Sequence, residues 1–294
     1  MSAPGRMPKS PPFTPRTLLW LLRRSLVAAF EDGCFSIAKG AAYSALLSFF
    51  PVLASAAAIL VQTRAEFVSR TIESFLSEIV PPGTEDLVLR QFRMAGARPT
   101  SLLVGAGAIS LWAASSVIKS LMEGFQAAYR VPRARGFWRR SSVAIALVLA
   151  ATVPLVGASF LILFGDEVER AMLRGIRAER LWMPPAWIWP WLGHGFRYAV
   201  ALATTVLVTA LLYYFGPYRR QRWRYVWPGA ILATLLWLPA TSGFGWYVRH
   251  TGTYNVMYGS VGTGIALLVW MYLLAAIALI GCEFNAEYER SVRR

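Results

Sequence analysis

Six long stretches of the chain contain neither a charged residue nor a histidine. They cover residues 41–63, 99–118, 141–165, 198–218, 225–248 and 251–282. An apolar helix needs about 20 residues to cross a bilayer core of about 30 Å, and one charge at its centre costs roughly 3 kcal/mol on insertion scales. The pattern therefore predicts an all-α, polytopic membrane protein with six transmembrane helices, the last of them at about 257–282.

The segments outside these spans divide into tails and interfacial helices. Five prolines before residue 16 predict a disordered N-terminal tail at 1–17, ahead of a membrane domain at 18–288 and a basic C-terminal tail at 289–294. Amphipathic periodicity predicts an interfacial helix over 18–30 and a second one over 68–79. The tryptophan-rich, proline-broken segment 182–191 suits the headgroup layer of a membrane.

The charged residues between the spans predict the orientation. Residues 119–140 contain six Lys or Arg and one acid, and 219–224 contain four arginines and no acid. Because basic residues accumulate in cytoplasmic loops, these two connections and both termini are expected in the cytoplasm. The formal net charge of +15 is then mostly cytoplasmic. Anionic lipid headgroups account for such a charge without a nucleic-acid partner.

Polar and small residues form stripes at helical spacing inside three spans. Two interpretations stay open, because small and hydroxylated residues let membrane helices pack closely but also suit a polar seam for a ligand. Pro51, Pro154 and Pro239 are expected to bend three spans near mid-membrane. The stripes consist of Ser44, Ser48, Pro51, Ser55, Ala58 and Gln62 in the first span, Ser101, Gly105, Ala108, Trp112, Ser115 and Lys119 in the second, and Gly259, Gly262, Thr263 and Ala266 in the last.

Several kinds of chemistry have no support in the sequence. No ionisable residue lies deep in any of the six stretches, which argues against an ion-coupled carrier. There is no phosphate-binding loop, and the two histidines, His194 and His250, have no clustered carboxylates beside them, so no cofactor, metal or enzymatic activity is predicted. Cys34 and Cys282 are interpreted as reduced, inert thiols near the cytoplasmic ends of their spans.

The C-terminal span carries a motif that resembles the end of the YihY/BrkB family of bacterial envelope proteins, once labelled ribonuclease BN. Residues at the first, second and fifth spans are similar to the family and occur in the same order. They are Asp32, Ala41, Tyr43, Ser48 and Pro51 at the first span, Trp112, Ala113 and Ser115 in the second, and Pro217, Arg222, Pro228 and Gly229 at the start of the fifth. Gln126 stands where the family usually has Asn. The motif itself comprises Tyr254, Asn255, Tyr258, Gly259, Ser260, Gly262, Trp270, Tyr272, Gly281, Glu283, Asn285 and Ala286.

The resemblance implies a six-span protein of the bacterial inner membrane. Members are linked with serum resistance and virulence, or with export of lipid or lipopolysaccharide precursors. The ribonuclease label is regarded as a misassignment, and the lack of metal ligands in this sequence agrees with that view.

We therefore expect a protein that moves or organises a lipid-like envelope component, with membrane lipids as its partners. The alternative is a scaffold that docks a periplasmic or envelope protein. The expected headgroup contacts are Ser44, Ser48, Trp112 and Ser115 in the seam, Tyr254, Asn255 and Tyr258 at an outer mouth, and Asp32, Lys39, Arg222, Glu283 and Asn285 at an inner mouth, the last group being equally consistent with ion pairs and helix caps.

Overall fold

A computed structural model of the chain describes residues 15–62, 100–131, 136–178, 189–250 and 253–293. It describes the side chains of these ranges except at 56–62, 100–103, 162–178, 189–194 and 253–261. The interfacial helix predicted over 68–79, residues 1–14 of the predicted tail and the side chains of the tryptophan-rich segment lie outside the described residues.

Every regular element in the described residues is helical, which confirms the all-α prediction. Within the described ranges, a single 3₁₀ turn, Trp223–Tyr225, lies between the fifth and sixth α-helices. In the part of the chain that the structure describes, the seven α-helices are α1 (Pro15–Glu31), α2 (Cys34–Gln62), α3 (Thr100–Ala128), α4 (Phe137–Ala178), α5 (Trp189–Phe215), α6 (Trp227–His250) and α7 (Thr253–Arg293).

Helices α2 to α7 are each long and apolar enough to cross a membrane, which confirms the six predicted spans. Pro51, Pro154 and Pro239 all lie inside helices that continue on both sides of the proline. The last candidate span is longer than expected and extends over Gly262–Arg293. It therefore includes three glutamates that the sequence pattern placed beyond the membrane segment.

The six long helices alternate in direction and pack as a ring. Each of them contacts the next one along the chain, and α7 also contacts α2, α3 and α1. Contacts between the start of α2 and the end of α7, and between the end of α3 and the start of α4, place these termini at one end of the bundle. We call this the basic end, because the arginine-rich connections after α3 and after α5 lie there.

Helix α1 packs across the basic end against the last turns of α7. Its buried residues are Leu21, Ser25, Ala28 and Ala29. The periodicity predicts an apolar face of Leu18, Leu22, Leu26 and Ala29; of these, Ala29 is buried in the packed face, whereas Leu18 and Leu26 are exposed. With Leu19, Trp20, Val27 and Phe30 also exposed, α1 presents apolar side chains both to the bundle and away from it.

The main hydrophobic core fills the basic end of the bundle. It includes Cys34 and Ala38 of α2, Phe125 of α3, Tyr213 of α5 and Leu279 of α7. Residues 289–293, expected as part of a basic tail, instead continue α7, and Glu289 and Val292 are buried. The end of α7 is thus the centre of the most tightly packed region.

Candidate functional site

The last turns of α7 are buried on all sides although they contain charged residues. Every residue from Gly281 to Glu289 is buried, including three glutamates and Asn285. A helix that is buried all round is normally apolar, since burying an unpaired charge is costly. The polar side chains of this segment therefore require partners from the helices around it.

Two of the glutamates form ion pairs with arginines, although Glu289 Oε2 is buried without a hydrogen-bond partner. Glu287 forms ion pairs with Arg24 of α1 and with Arg290 one turn further along α7. Glu289 accepts from Arg219, which follows α5, at 2.8 Å and from Arg293 at 2.6 Å. Ion pairs from neighbouring segments thus balance both charges and connect α1 and the segment after α5 to α7.

The third glutamate has a different environment. The Cys34 thiol donates a hydrogen bond to Glu283 Oε1 at 3.5 Å, while Glu283 Oε2 is buried without a hydrogen-bond partner. Asp32, in the turn before α2, lies 3.6 Å from Arg130 through Oδ1, and its Oδ2 also has no partner. The Cys34 thiol was interpreted as inert, but it is the hydrogen-bond donor to this carboxyl group.

Asn285 joins α7 to the start of α6. Its Oδ1 accepts from the Gly229 amide at 2.7 Å, and its Nδ2 donates to the Val226 carbonyl at 2.9 Å. The amide side chain satisfies two backbone groups at a helix start, where amides lack intrahelical partners. Gly229 and Gly281 face each other here, and a Cβ on either would collide with the other helix.

A contact between an arginine and an aromatic ring also lies in this region. The Arg219 guanidinium lies 4.7 Å from the centre of the Tyr129 ring, and the Tyr129 hydroxyl is buried without a partner. Burial raises the pKa of Tyr129, so the phenol stays neutral. Tyr213 packs edge-on against Phe125 and donates to the Ala278 carbonyl at 2.6 Å.

The structure brings together part of the predicted inner mouth. Asp32, Glu283 and Asn285 lie in one cluster, whereas Lys39 and Arg222 are exposed, and the structure gives neither side chain a contact with the cluster. Sequence reasoning missed the cluster's ion-pairing residues, although the spacing of Glu287 and Glu289 from arginines three and four residues later was a usable signal. The missed residues are Arg24, Arg130, Arg219, Glu287, Glu289, Arg290 and Arg293.

The predicted hydroxyl stripe of α2 faces α3, but its partners there were not the predicted ones. Ser55 lies 2.6 Å from Ser110 through their hydroxyl oxygens, and Ser110 also donates to the Pro51 carbonyl at 2.7 Å. Closer to the basic end, the hydroxyl oxygens of Ser44 and Ser120 are 3.4 Å apart. The two helices are thus connected by Ser110 and Ser120, which lie on a different face of α3 from Trp112.

The structure shows no hydrogen bond from the described side chains of α2 to either seam residue predicted on α3, Trp112 or Ser115. Trp112 is 68% exposed, and the Lys119 ammonium lies 5.9 Å from its ring centre. Ser115 is buried and donates to the Trp112 carbonyl, as Ser48 on α2 donates to Ser44. The four predicted seam residues, Ser44, Ser48, Trp112 and Ser115, therefore do not form one continuous polar seam in this structure.

An apolar groove of about 290 Å³ lies between α2, α3 and α4. Ser48 and Thr152 supply its hydroxyl groups, and both donate to carbonyls of their own helices. The other lining residues have no side-chain hydrogen-bonding groups. They are Ala45, Phe49, Val52, Ala114, Val117, Ile118, Val148, Ala151 and Leu155.

The groove continues the interior of the bundle away from the basic end. Ala38 and Ala41 are buried at the basic end, and Ala45, Ser48 and Val52 follow them on the same face of α2 and line the groove. On α3 the groove residues Ala114 and Val117 share a face with the buried Leu121. The faces of α2 and α3 that pack tightly at the basic end thus lie further apart in the part of the bundle away from that end. There Val52 of α2 and Thr152 and Leu155 of α4 are exposed.

The remaining predicted residues lie in the first half of α7. The side chains of Tyr254, Asn255 and Tyr258, and the surroundings of Gly259, are outside the described residues. Gly262 is buried. Trp270, further along α7, donates to the Thr241 hydroxyl of α6 at 3.4 Å. Among the side chains that the structure describes, no three His, Cys, Asp or Glu residues could hold a metal ion together.

The fold and site define an α-helical membrane protein with six apolar helices and a buried polar cluster at one end. The chain belongs to the family described as virulence factor BrkB, whose model matches residues 26–294. This confirms the family resemblance of its sequence motifs. No solved structure is significantly similar to the chain.

Relatives with curated names extend over most of the chain. The putative ribonuclease-like protein YfkH of Bacillus subtilis is 28% identical over 83% of this chain and 86% of its own length. A UPF0761 membrane protein of Tolumonas auensis is 28% identical over 92% of this chain and 88% of its own. The Nitrosospira multiformis UPF0761 membrane protein is 24% identical over 89% of this chain, which spans only 59% of that protein.

Proposed function

We propose that this protein transports or flips a lipid-like envelope component, a phospholipid or a lipopolysaccharide precursor, across or out of the bacterial inner membrane. The observation that carries the proposal is the groove between α2, α3 and α4. It lies within the charge-free parts of three spans, and its described lining is apolar apart from two hydroxyl groups already used within their own helices.

The chemistry of this lining favours an alkyl chain over a polar solute. A polar solute would lose its hydration shell in the groove and find few hydrogen-bonding groups in return, whereas an alkyl chain loses nothing on leaving the lipid phase. The groove extends about 10 Å along α4, from Val148 to Leu155, at a rise of about 1.5 Å per residue. Part of one lipid chain fits this length.

The proposed headgroup contacts remain those expected from the sequence, in two sets. The inner set is Asp32, Glu283 and Asn285, with the exposed Lys39 and Arg222 at the surface of the basic end. The outer set is Tyr254, Asn255 and Tyr258. Ser48 lines the groove between them, and Ser44 lies one turn nearer the basic end. Trp112 and Lys119 belong to a separate surface of α3, which we propose faces bilayer lipid, whereas Ser115 is buried.

The test uses purified protein in proteoliposomes of phosphatidylethanolamine and phosphatidylglycerol, with movement of fluorescent phosphatidylglycerol followed by an impermeant quencher. Wild-type protein is expected to accelerate the movement. Thr152→Trp should reduce the initial rate by about tenfold or more, because a bulky side chain fills a groove between closely packed helices.

Val153→Trp is the matched control for Thr152→Trp. Val153 neighbours Thr152 on α4 and is exposed, but it does not line the groove, so this variant should keep the wild-type rate. Equal rates for the two variants would contradict the proposed site. If wild-type protein moves no lipid and co-purifies with a stoichiometric envelope protein, the scaffold function replaces lipid transport.

We further propose that the basic end of the bundle, with both chain termini, faces the cytoplasm. The excess of basic residues in the connections there supports this orientation. In a variant with Cys34 and Cys282 replaced by Ala, a single cysteine at the exposed Arg222 should resist an impermeant thiol reagent in cells with a permeabilised outer membrane. A cysteine at Gly83 should react. The opposite labelling pattern would invert the proposed topology.

A further inference from the structure

Glu283 is the buried carboxyl group of α7 for which the structure shows no cationic partner. It exposes 0% of its surface. Among the described residues, ion pairs reach Glu287 and Glu289 on the same helix but not Glu283. A carboxylate that is buried without a cation is far less stable than the neutral acid, so such a group normally keeps its proton.

The two oxygens of Glu283 have different surroundings. Oε1 accepts the hydrogen bond of the Cys34 thiol at 3.5 Å. Oε2 is buried and has no hydrogen-bond partner in the described structure. A thiol is a weak donor and stabilises a negative charge poorly. Because Oε1 is already an acceptor, Oε2 is the atom that can carry a proton.

The charged groups around Glu283 do not replace a missing cation. Asp32 lies two residues before Cys34, the donor to Glu283, and Glu287 lies one turn further along α7, so both of these neighbours are acidic. Arg290 is the nearby cation, but its guanidinium is engaged by Glu287 and by the Ala128 carbonyl at the end of α3. Arg130 is directed to Asp32. Among the described residues, the cations near Glu283 are therefore engaged by other groups.

We propose that Glu283 binds one exchangeable proton on Oε2, and that this proton keeps the start of α2 packed against α7 at the basic end. Cys34 and Ala38 of α2 belong to the same core as Leu279 and Cys282 of α7. Loss of the proton places an unpaired negative charge in this core beside Asp32. Deprotonation of Glu283 therefore weakens the packing of α2 against α7 at the basic end.

Proton binding at Glu283 does not depend on lipid movement. The inference rests on the proposed function only in its consequence, that protonation and opening of the basic end are linked during transport. The two claims are separable, because the proton can be measured on protein that is not transporting anything.

The experiment records infrared difference spectra and thermal unfolding of detergent-purified protein between about pH 5 and about pH 9, where ordinary carboxyl groups are already ionised. Wild-type protein should lose the carbonyl band of one protonated carboxylic acid as pH rises. Its unfolding temperature should fall over the same range, because the folded state holds a proton that the unfolded chain has released. Glu283→Gln, a neutral group of the same shape, should lack the band and this part of the temperature slope.

Two further variants keep the test decisive. Glu123→Gln changes an exposed glutamate paired with Arg140 and should retain both signals. Cys34→Ala removes the donor to Oε1, so the midpoint of the band should shift to higher pH, which identifies Glu283 even if Glu283→Gln does not fold. The proposal is wrong if no such band titrates, if the band survives Glu283→Gln, or if sodium ions rather than protons change the unfolding temperature through Glu283.

Discussion

Asn285 and the glutamates of α7 lie in a helix segment that is buried on every side, so each polar group depends on partners from other helices. Glu287 and Glu289 each have two arginines, and Asn285 has two backbone groups of the segment that begins α6. Removing one partner of a buried pair costs more than the pair contributes, because the other is left without water or partner. These residues are therefore sensitive positions for stability, whatever ligand the protein handles.

The close approach of α6 and α7 at Gly229 gives a direct prediction. Gly229→Ala places a Cβ against the Gly281 carbonyl and 2.6 Å from the Asn285 side chain, so the helices must move apart. We expect a loss of about 2 kcal/mol in unfolding free energy, a typical cost of overpacking. Thermal unfolding in detergent, compared with wild type, measures it.

Gly243→Ala on the same helix is the control for this packing effect. A Cβ at Gly243 has no atom within 4 Å, so the helix propensity of alanine should leave stability equal or higher by up to about 1 kcal/mol. If Gly229→Ala is as stable as Gly243→Ala, the packing of α6 on α7 is not as described.

At the scale of the helix, sequence periodicity predicted the spans but not all of their neighbours. Charge-free length identifies a membrane helix because the bilayer penalises charge. Spacing shows which residues share a face, and for α2 this was sufficient: Ser44, Ser48 and Ser55 lie on its packed side. It does not show which helix that face meets, so Trp112 was grouped with the seam although it is exposed.

The end of α7 shows why the buried cluster was only partly predictable. The motif identified Glu283 and Asn285, but their partners come from segments distant in sequence: Cys34 for Glu283, and the backbone of Val226 and Gly229 for Asn285. Such contacts depend on how the helices pack. The charge-free criterion also ended the span at residue 282, since it counts the buried Glu283 as a charge facing lipid.

The hydroxyls of α2 and α3 give a prediction at the same scale. Ser48 and Ser115 donate to carbonyls of their own helices, so Ser48→Ala and Ser115→Ala should leave the unfolding temperature nearly unchanged. Ser110→Ala removes contacts to α2 and should cost about 0.6 kcal/mol, a typical value for one interhelical hydrogen bond in a membrane. Ser110→Leu should cost clearly more by separating the helices. A large loss for Ser48→Ala or Ser115→Ala would contradict these assignments.

Across the whole molecule, packing is uneven from one end of the bundle to the other. The basic end combines the main core with the ion pairs of α7, while α2, α3 and α4 leave the apolar groove further along the same faces. A protein that admits a lipid chain needs this kind of asymmetry, with one end sealed against ions and an apolar space within the membrane. The tight end supports the six helices, and in the proposed function the groove holds the lipid chain.

An experimental structure of the protein in nanodiscs of phosphatidylethanolamine and phosphatidylglycerol tests the central claim most directly. We predict elongated density in the groove, in contact with Ser48, Ala114 and Ala151, and its loss in Thr152→Trp but not in Val153→Trp. A groove closed by direct contact of α2 with α4 in the wild-type protein, or one that contains ordered water instead of a lipid chain, would contradict the account.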